Sequence, residues 1–291
     1  MSYTHSPMRY AWDMQARYLR ENGVDRGPLS WLIRHALHKI RIWDVVAAQK
    51  IDAIAVNSQF VSKRVAKYYG RKARVIHPPV ELENFDLQSG KDDHYVTASR
   101  LVPYKKINMI VEAFNRMPSR KLIVIGEGPQ LAQLRKLANP NVTIAGHLPA
   151  EEMATVVGRA KAFVFAAIED FGIAPLEAQA AGTPVIALGM GGLLETVRGL
   201  GQNEPTGVFF YEQTPEALMD AVDEFEANAK LFIPHKCRQN ALRFNQNAFR
   251  TEFREFVNEA LAAAGMVEQP LAIVHPDIFP SSEAGAMAAT G

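Results

Sequence analysis

The sequence predicts an α/β protein built mainly on a doubly wound parallel sheet. Apolar segments of strand length recur between residues 94 and 210, and segments with helical spacing of apolar residues separate them. Such β-α alternation is the pattern of a parallel sheet with crossover helices. Gly-rich turns follow the second and fifth of these strands, directly before helices. We therefore expect one complete sheet domain in this part of the chain, preceded by a less complete α/β unit.

Composition excludes several classes of protein. The chain has 291 residues, of which 48% are hydrophobic and 22% charged, as in ordinary globular proteins. Its net charge of +1 gives no sign of general nucleic-acid binding. The single cysteine, Cys237, excludes an internal disulfide or an all-cysteine zinc site and fits a reducing cytoplasm. No apolar run approaches the roughly 18 residues that suggest a membrane span.

The same reasoning places the elements in chain order. Residues 1–13 look like a polar loop, and Ser58 and Gly70 are candidate caps of a later helix. His77 precedes two prolines that favour extended backbone, so we interpret it as a linker residue. Strands are predicted at 52–56, 74–76, 94–99, 121–125, 141–145, 162–167, 184–188 and 207–210. Helices are predicted at 14–50 with breaks, 60–69, 106–117, 128–138, 150–158, 174–181, 192–198 and, with breaks, 215–264.

Two glutamates follow the strand predicted at 162–167. Glu169 lies where this strand should end, and Gly172 gives a backbone position free of Cβ. Pro175 suits the first turn of a helix, which would hold Glu177 in the same turn. The next helix starts at the same edge of the sheet, where free N–H groups favour anions. Either glutamate alone could instead cap a helix or be a solvated loop carboxylate.

A longer pattern surrounds these glutamates: EDFGIAPLE, then AGTPVIA, then GGxxE. It resembles the E-x7-E signature of retaining GT-B glycosyltransferases of the family 4 type. The resemblance implies a GT-B fold and transfer from a nucleotide sugar. Glu169 would hydrogen-bond the donor sugar at the catalytic centre, and Glu177 would accept from the ribose hydroxyls, since a carboxylate can accept two hydrogen bonds. Backbone amides of Phe171, Gly172 and Ile173 would line the sugar and phosphate pocket.

A second motif, SRLVPYKK, begins at Ser99 and resembles the [GS]-R-L-x-x-x-K-G element of the same family. Arg100 can hold two phosphate oxygens with its planar guanidinium, and Lys105 adds a mobile positive charge. Both would stabilise a departing diphosphate, which is the role of a metal in other transferases. Lys106 departs from the family pattern, in which glycine is common. No D-x-D triplet occurs in the chain. The alternative is a pair of ordinary surface cations.

The opening segment, HSPMRYAWD, resembles the H-[ST]-P-x-R-Y-x-W-D loop of mannosyltransferase-like members. The resemblance implies that His5 is the active-site histidine, reaching the donor sugar across a cleft, and that Arg9 contacts the acceptor or a phosphate. In the family this loop lies inside the N-terminal domain, so we expect an N-terminally truncated enzyme lacking roughly its first quarter. An exposed turn is the simpler interpretation of an isolated His-Pro loop.

The segment 14–50 is basic and carries large apolar residues, including Trp31 and Trp43. A helix of this kind can lie on an anionic membrane surface. A solvated basic face over an ordinary core stripe explains the same pattern. Both interpretations are open.

The resemblance also suggests a domain organisation. Residues 1–84 would be the remnant of the N-terminal, acceptor-side domain with its linker, and 85–246 the nucleotide-sugar-binding domain. Residues 247–265 would form a terminal helix that crosses back to the first domain. Residues 266–291 are rich in Pro, Ala, Ser and Gly without periodicity, and predict a flexible tail.

Together these features predict a metal-independent retaining hexosyltransferase of polysaccharide synthesis. It would move mannose, from GDP-mannose or a similar donor, to a glycan or lipid-linked acceptor, in the cytoplasm or at the inner face of the membrane. Mannose rests on the opening loop alone; no cofactor, metal or nucleic acid is expected. The alternative is an impaired fragment that binds a nucleotide sugar without efficient transfer. A glycoside hydrolase is disfavoured, because Glu169 and Glu177 lie on one turn and helix rather than across a cleft.

Overall fold

The computed structural model describes residues 1–266, which form two parallel sheets with helices around them. The predicted α/β class, with a doubly wound parallel sheet, is confirmed. The tail predicted at 266–291 lies, beyond its first residue, outside the described part of the chain.

The first unit contains a three-stranded parallel sheet in the order β1-β2-β3. Ser58 caps its third helix, since the side-chain oxygen accepts from the N–H of Val61 at 3.1 Å, and Gly70 ends that helix in the left-handed conformation. The elements are β1 (Ser2–Thr4), α1 (Gln15–Glu21), α2 (Gly27–Gln49), β2 (Ile54–Val56), α3 (Gln59–Tyr69) and β3 (Arg74–Val75).

The prediction of a loop over residues 1–13 is wrong for β1. Ser2–Thr4 pair in parallel with Ile54–Val56 along β2. Three residues are too few to show the period of two that marks a strand, and the pairing is supplied by a partner some fifty residues away.

The second unit contains a six-stranded parallel sheet in the order β6-β5-β4-β7-β8-β9. The strand order reverses between β4 and β7, which are neighbours. The strands are β4 (Tyr95–Ala98), β5 (Leu122–Ile125), β6 (Val142–Gly146), β7 (Phe163–Phe165), β8 (Val185–Leu188) and β9 (Gly207–Phe210). The helices are α4 (Ile107–Asn115), α5 (Leu131–Leu137), α6 (Ala150–Arg159), α7 (Ile173–Ala180), α8 (Leu193–Thr196), α9 (Pro215–Ala227), α10 (Pro234–Ala241) and α11 (Gln246–Ala263).

Both faces of the large sheet are buried, as expected for a parallel sheet with crossover helices. Tyr95 belongs to the core on one face, where its ring lies 5.2 Å from that of Phe114 in α4. The next residue, Val96, belongs to the core on the opposite face, together with Phe163 and Phe165 of β7. Alternation along each strand therefore builds two apolar layers, which hold the strand ends in fixed positions.

The last helix, α11, packs on the small sheet. The rings of Phe249 and Phe253 lie 5.8 and 5.9 Å from that of Tyr3 in β1, and Phe256 joins a core with Ala55 and Ile76. The chain therefore returns to its first unit after completing the second. The domain boundaries after residues 84, 246 and 265 stay predictions.

Candidate active site

The candidate site lies at the carboxyl edge of the large sheet, where the strand order reverses. Open α/β sheets bind ligands at this kind of position. The loop after β4 carries Arg100 and Lys105, and the loop after β7 carries Glu169 and leads into α7 with Glu177. Two sequence motifs separated by more than sixty residues therefore reach one edge of the sheet because their strands are neighbours.

Lys105 and Glu169 form an ion pair between Nζ and Oε1. The two side chains are 17% and 22% exposed, so the pair is largely shielded from water while still accessible to a ligand. The ammonium also lies 5.4 Å from the ring centre of Phe165, at the end of β7, and 5.6 Å from that of Tyr104. The structure thus brings together a cation predicted to bind phosphate and an acid predicted to bind sugar.

Arg100 is exposed on the same loop as Lys105, after β4. Its guanidinium makes no hydrogen bond or ion pair with any residue in the range 1–266. The five N–H donors of this planar group are therefore available to an anionic ligand at the same strand end.

Glycines hold the backbone around Glu169. A Cβ on Gly191, at φ +75°, would lie 2.3 Å from the carbonyl oxygen of Glu169, and the N–H of Gly192 donates to that oxygen at 2.9 Å. The turn after β8 therefore packs directly on the Glu169 backbone, at a distance that no larger residue permits.

The start of α7 corrects one expectation. The helix begins at Ile173, because Gly172 adopts φ +98° and lets the chain turn one residue early. Glu177 consequently lies at the beginning of the second helical turn rather than in the first. The ring of Phe171 is buried, 5.4 Å from that of Phe244 and 5.6 Å from that of His77, so its backbone alone is left for the site.

Glu177 lines a cavity of about 700 Å³ together with Glu81, Met153 and Ile173. Burial raises the pKa of Glu177, and the charge of Glu81 raises it further. A ligand that donates hydrogen bonds to this carboxylate would favour its ionised form and so offset the cost of burying the charge.

The opening loop contacts the two residues that flank Glu169 in the sequence, Ile168 and Asp170. The guanidinium of Arg9 reaches Asp170 Oδ1 at 2.7 Å from Nη2, and its Nη1 donates to the carbonyl of Ile168 at 3.0 Å. Burial opposes the charge of Arg9, but the carboxylates around it, chiefly Asp170, raise its pKa. His5 is exposed at the end of β1, with its ring edge-on to Tyr3 at 5.1 Å. The roles of His5 in catalysis and of Arg9 in acceptor binding stay predictions.

Sequence reasoning missed Arg64 and its partner Asp170. Arg64 is 5% exposed on α3 and lies 3.1 Å from Asp170 Oδ1. A signal was available, because Arg64 lies on the same helical face as Val61, Val65 and Tyr68, and a charge inside an apolar stripe indicates a buried, paired group.

Glu195, in the GGxxE part of the pattern, is a second residue whose role the sequence does not reveal. Its two carboxylate oxygens accept from the N–H groups of Gln59 and Phe60, at 2.8 and 3.0 Å, at the N-terminus of α3. Its Oε2 also lies 3.2 Å from Nε2 of His77, the linker residue. Burial opposes ionisation, yet His77 and the two N–H groups outweigh it and lower the pKa of Glu195. Glu195 therefore ties the large sheet to both the linker and the first unit.

Within residues 1–266 no helix has the length and apolarity needed to cross a bilayer. In the same range no group of three or more His, Cys, Asp or Glu side chains is arranged to hold a metal ion. Metal independence stays a prediction.

Comparison with solved structures agrees with the fold. A glycosyltransferase from Rickettsia africae covers 90% of this chain and 84% of its own, with a TM-score of 0.64 and 18% identity. The sucrose-phosphate synthase of Thermosynechococcus elongatus covers 76% of this chain and 62% of its own, with a TM-score of 0.65 and 24% identity. The predicted GT-B architecture is thereby confirmed.

Comparison of sequences gives a relative in Mycobacterium tuberculosis, a GDP-mannose-dependent alpha-(1-6)-phosphatidylinositol monomannoside mannosyltransferase. It is 30% identical over 204 residues, which are 60% of this chain and 52% of the relative. The chain thus spans about half the length of the curated relatives it matches.

The family model of glycosyl transferases group 1 matches residues 81–244. This range is more than half of the chain and contains the loops after β4 and β7. The strand order, the two loops meeting at its reversal and this match lead to one conclusion: the chain belongs to the glycosyl transferases group 1 family.

Proposed function

We propose that this chain transfers a hexose from a nucleotide diphosphate sugar to a glycan or lipid-linked acceptor, with mannose from GDP-mannose as the first choice. The observation that carries the proposal is the Lys105–Glu169 ion pair at the reversal of strand order, on a loop that also carries the exposed Arg100. The mycobacterial relative is a GDP-mannose-dependent mannosyltransferase, which supports mannose as the sugar.

The charges suggest how a donor binds. A diphosphate entering between Arg100 and Lys105 would compete with Glu169 for the ammonium, because phosphate carries more charge than one carboxylate. Glu169 would then be released to accept hydrogen bonds from the sugar hydroxyls. The Lys105–Glu169 ion pair would thus be replaced by a contact of Lys105 with phosphate and a contact of Glu169 with sugar. Glu177 would accept hydrogen bonds from the ribose diol in its cavity.

Transfer would proceed with retention and without a metal. The acceptor oxygen would bond to the anomeric carbon on the face from which the diphosphate leaves, as the bond from that carbon to the phosphate oxygen breaks. The departing phosphate would take the acceptor proton, which balances the step. Arg100 and Lys105 would stabilise the negative charge that develops on the diphosphate, and His5 would approach the sugar from the opposite side of the cleft.

Two matched substitutions test the donor site. Lys105→Ala and Glu169→Ala should each lower transfer from GDP-mannose by about 100-fold or more, the typical loss of one preorganised electrostatic contact. Lys161→Ala is the control, since Lys161 also pairs with a carboxylate, Asp93, but just before β7 at the opposite edge. Product from a panel of nucleotide sugars would be measured by mass spectrometry. Full transfer by Lys105→Ala or Glu169→Ala would contradict the proposal.

A second candidate is a nucleotide-sugar binder with little transfer activity. It is favoured by one observation, the match to only about half the length of the relatives. Calorimetry that shows GDP-mannose binding, together with no product in a coupled assay, would support this candidate over the first.

We further propose that α2 contacts an anionic lipid surface, where a lipid-linked acceptor would be presented. Trp31, Leu32 and Trp43 are 66%, 57% and 63% exposed, which the core-stripe interpretation did not predict. The one acid in α2, Asp44, is buried and accepts from Trp12 and Tyr69. The exposed surface of α2 therefore combines apolar rings with cations and lacks acidic groups.

Vesicle sedimentation tests this contact. The protein should bind vesicles of phosphatidylcholine with roughly 30% phosphatidylglycerol, an anionic fraction that attracts basic segments. It should not bind vesicles of pure phosphatidylcholine. The double substitution Trp31→Ser with Trp43→Ser should weaken binding by about 10-fold or more. Tyr211→Ser is the control, because Tyr211 is 69% exposed on the large-sheet unit. Equal binding by the double variant would exclude α2 as the contact.

A further inference from the structure

Arg64 connects both ends of the opening loop to the donor side of the molecule. Its Nη2 donates to the carbonyl of Pro7 at 3.1 Å and reaches Asp13 Oδ1 at 2.8 Å. Its Nη1 donates to the hydroxyl of Ser6 and reaches Asp170 Oδ1 at 3.1 Å. Ser6 and Pro7 follow His5, Asp13 ends the loop, and Asp170 is the neighbour of Glu169. One guanidinium thus contacts the segments that carry two predicted site residues.

The surroundings fix this guanidinium in place. Arg64 is 5% exposed, and its guanidinium carbon lies 5.9 and 6.0 Å from the ring centres of Phe60 and Tyr68 on the same helix. The helix is itself anchored by its Ser58 cap and by Glu195 at its N-terminus. The position of the guanidinium is therefore set by packed elements and not by the loop that it holds.

The charges around Arg64 argue against an anion-binding role. Arg9 and Arg64 contribute two positive charges, and Asp13 and Asp170 contribute two negative charges at ion-pair distance. The cluster is neutral, so a bound anion would have to displace one of the carboxylates. Its four members come from the opening loop, α3 and the loop after β7. The cluster therefore holds these three segments in fixed positions relative to one another.

We propose that Arg64 is a positioning residue for sugar transfer, which fixes the loop carrying His5 against the loop carrying Glu169. This inference rests on the proposed transferase function. Lysine cannot replace arginine in this role, because a single ammonium cannot present a planar fork to acceptors on opposite sides. Arg64 acts through other residues and touches neither donor nor acceptor.

The experiment has one arm that needs no activity. Hydrogen exchange would be followed at the amides of Ala11, Trp12 and Met14, which donate within the opening loop. Arg64→Met should speed their exchange by about 10-fold or more, since the loop loses the side chain that joins its ends. Arg64→Lys should give an intermediate increase. Exchange in β4 should not change in either variant, which separates loosening of the loop from unfolding.

The control is Arg71→Met. Arg71 also donates to backbone carbonyls, those of Ala48 and Ile51 at 3.0 and 2.7 Å, but it does so away from the cleft. Its replacement should leave exchange in the opening loop as in the unsubstituted protein.

The second arm uses GDP and GDP-mannose as probes. Arg64→Lys should bind GDP within about threefold of the unsubstituted protein, because the donor residues lie on the large sheet. Its kcat for GDP release from GDP-mannose should fall by about 30-fold with KM within threefold, the pattern of a lost transition-state interaction. Unchanged loop exchange in Arg64→Met, or unchanged kcat in a variant with a loosened loop, would overturn the inference. If the unsubstituted protein neither binds GDP nor releases it, the proposed function falls, and the exchange arm alone still decides whether Arg64 holds the loop.

Discussion

The two sheets hold their candidate site residues in different ways. At the large sheet, the Lys105–Glu169 pair lies on loops fixed by backbone packing, with apolar cores on both faces of the strands. At the small sheet, His5 and Arg9 lie on a loop held by single side chains. Arg64 reaches both ends of this loop, and Arg41 donates to the carbonyl of Ala11 at 3.0 Å. The geometry at the large sheet should therefore be sensitive to added volume at glycines. The geometry of the opening loop should be sensitive to the loss of single charges and hydrogen bonds.

The largest difference in stability between the two units should come from glycine substitution. Gly191→Ala should destabilise the fold by about 3 kcal/mol or more, because its Cβ would meet the Glu169 carbonyl at 2.3 Å and its φ is +75°. Gly70→Ala, at φ +64° with nothing within 4 Å of its Cβ, should cost only about 1 kcal/mol. Urea unfolding followed by circular dichroism would give both values. Equal losses would mean that close backbone packing does not distinguish the donor side.

The second largest loss of stability should follow removal of one charge at the interface between the two units. Asp170→Asn removes the carboxylate that pairs with Arg9 and leaves Arg64 paired with Asp13, so we expect a loss of about 2 kcal/mol in the free energy of unfolding. The value is below that of a fully buried pair because the Asp170 side chain is 18% exposed. Asp223→Asn is the control, since Asp223 pairs with Arg120 but is 64% exposed, and it should change stability by less than about 0.5 kcal/mol. A loss at Asp170 no larger than at Asp223 would show that the cluster does not join the units.

The same contrast explains what the sequence could predict. The six strands of the large sheet were predicted within about two residues, because each is an apolar run bounded by turn residues. Arg100, Lys105, Glu169 and Glu177 could be named because the two motifs that contain them resemble motifs of a known glycosyltransferase family. In contrast, the pairing of Lys105 with Glu169 depends on β4 and β7 being neighbours, which no local pattern encodes.

The first unit was less predictable for a physical reason. Its strand β1 has three residues, and its contacts to the large-sheet unit come from single side chains at large sequence separation, such as Arg64 to Asp170 and Glu195 to Gln59. Such contacts leave no period in the sequence. The charge of Arg64 within an apolar helical stripe was the single local sign of them.

Glu195 gives a pH-dependent test of the link between the units. Glu195→Gln should lower the free energy of unfolding by about 1 kcal/mol at pH 7, because a neutral amide caps α3 less well and loses the charge facing His77. The folded-state pKa of Glu195 is lowered from its ordinary value of 4.5, so its contribution is fully present above that value. The contribution is lost as the pH falls through the lower folded-state pKa.

Denaturant unfolding of the two proteins from pH 7 down to acid would measure this difference. The gap between them should stay constant above pH 4.5 and close at lower pH. The control is Glu216→Gln, because Glu216 pairs with Arg116 within the large-sheet unit and is 62% exposed. A gap that persists unchanged into acid would exclude the charge of Glu195 as the source of its contribution.

The smallest change in stability should come from Lys106, a non-glycine residue with the same left-handed backbone as Gly70. Lys106 adopts φ +61° at the start of α4, a left-handed conformation that costs a side chain about 1–2 kcal/mol. Lys106→Gly removes this strain but adds freedom to the unfolded chain, so stability should rise by less than about 1 kcal/mol. Lys106→Ala, which keeps the strain and removes the charge, separates backbone from side chain. If Lys106→Gly and Lys106→Ala lowered stability equally, the interactions of the Lys106 side chain would contribute more than its left-handed backbone costs. The departure from the family pattern would then stabilise this chain.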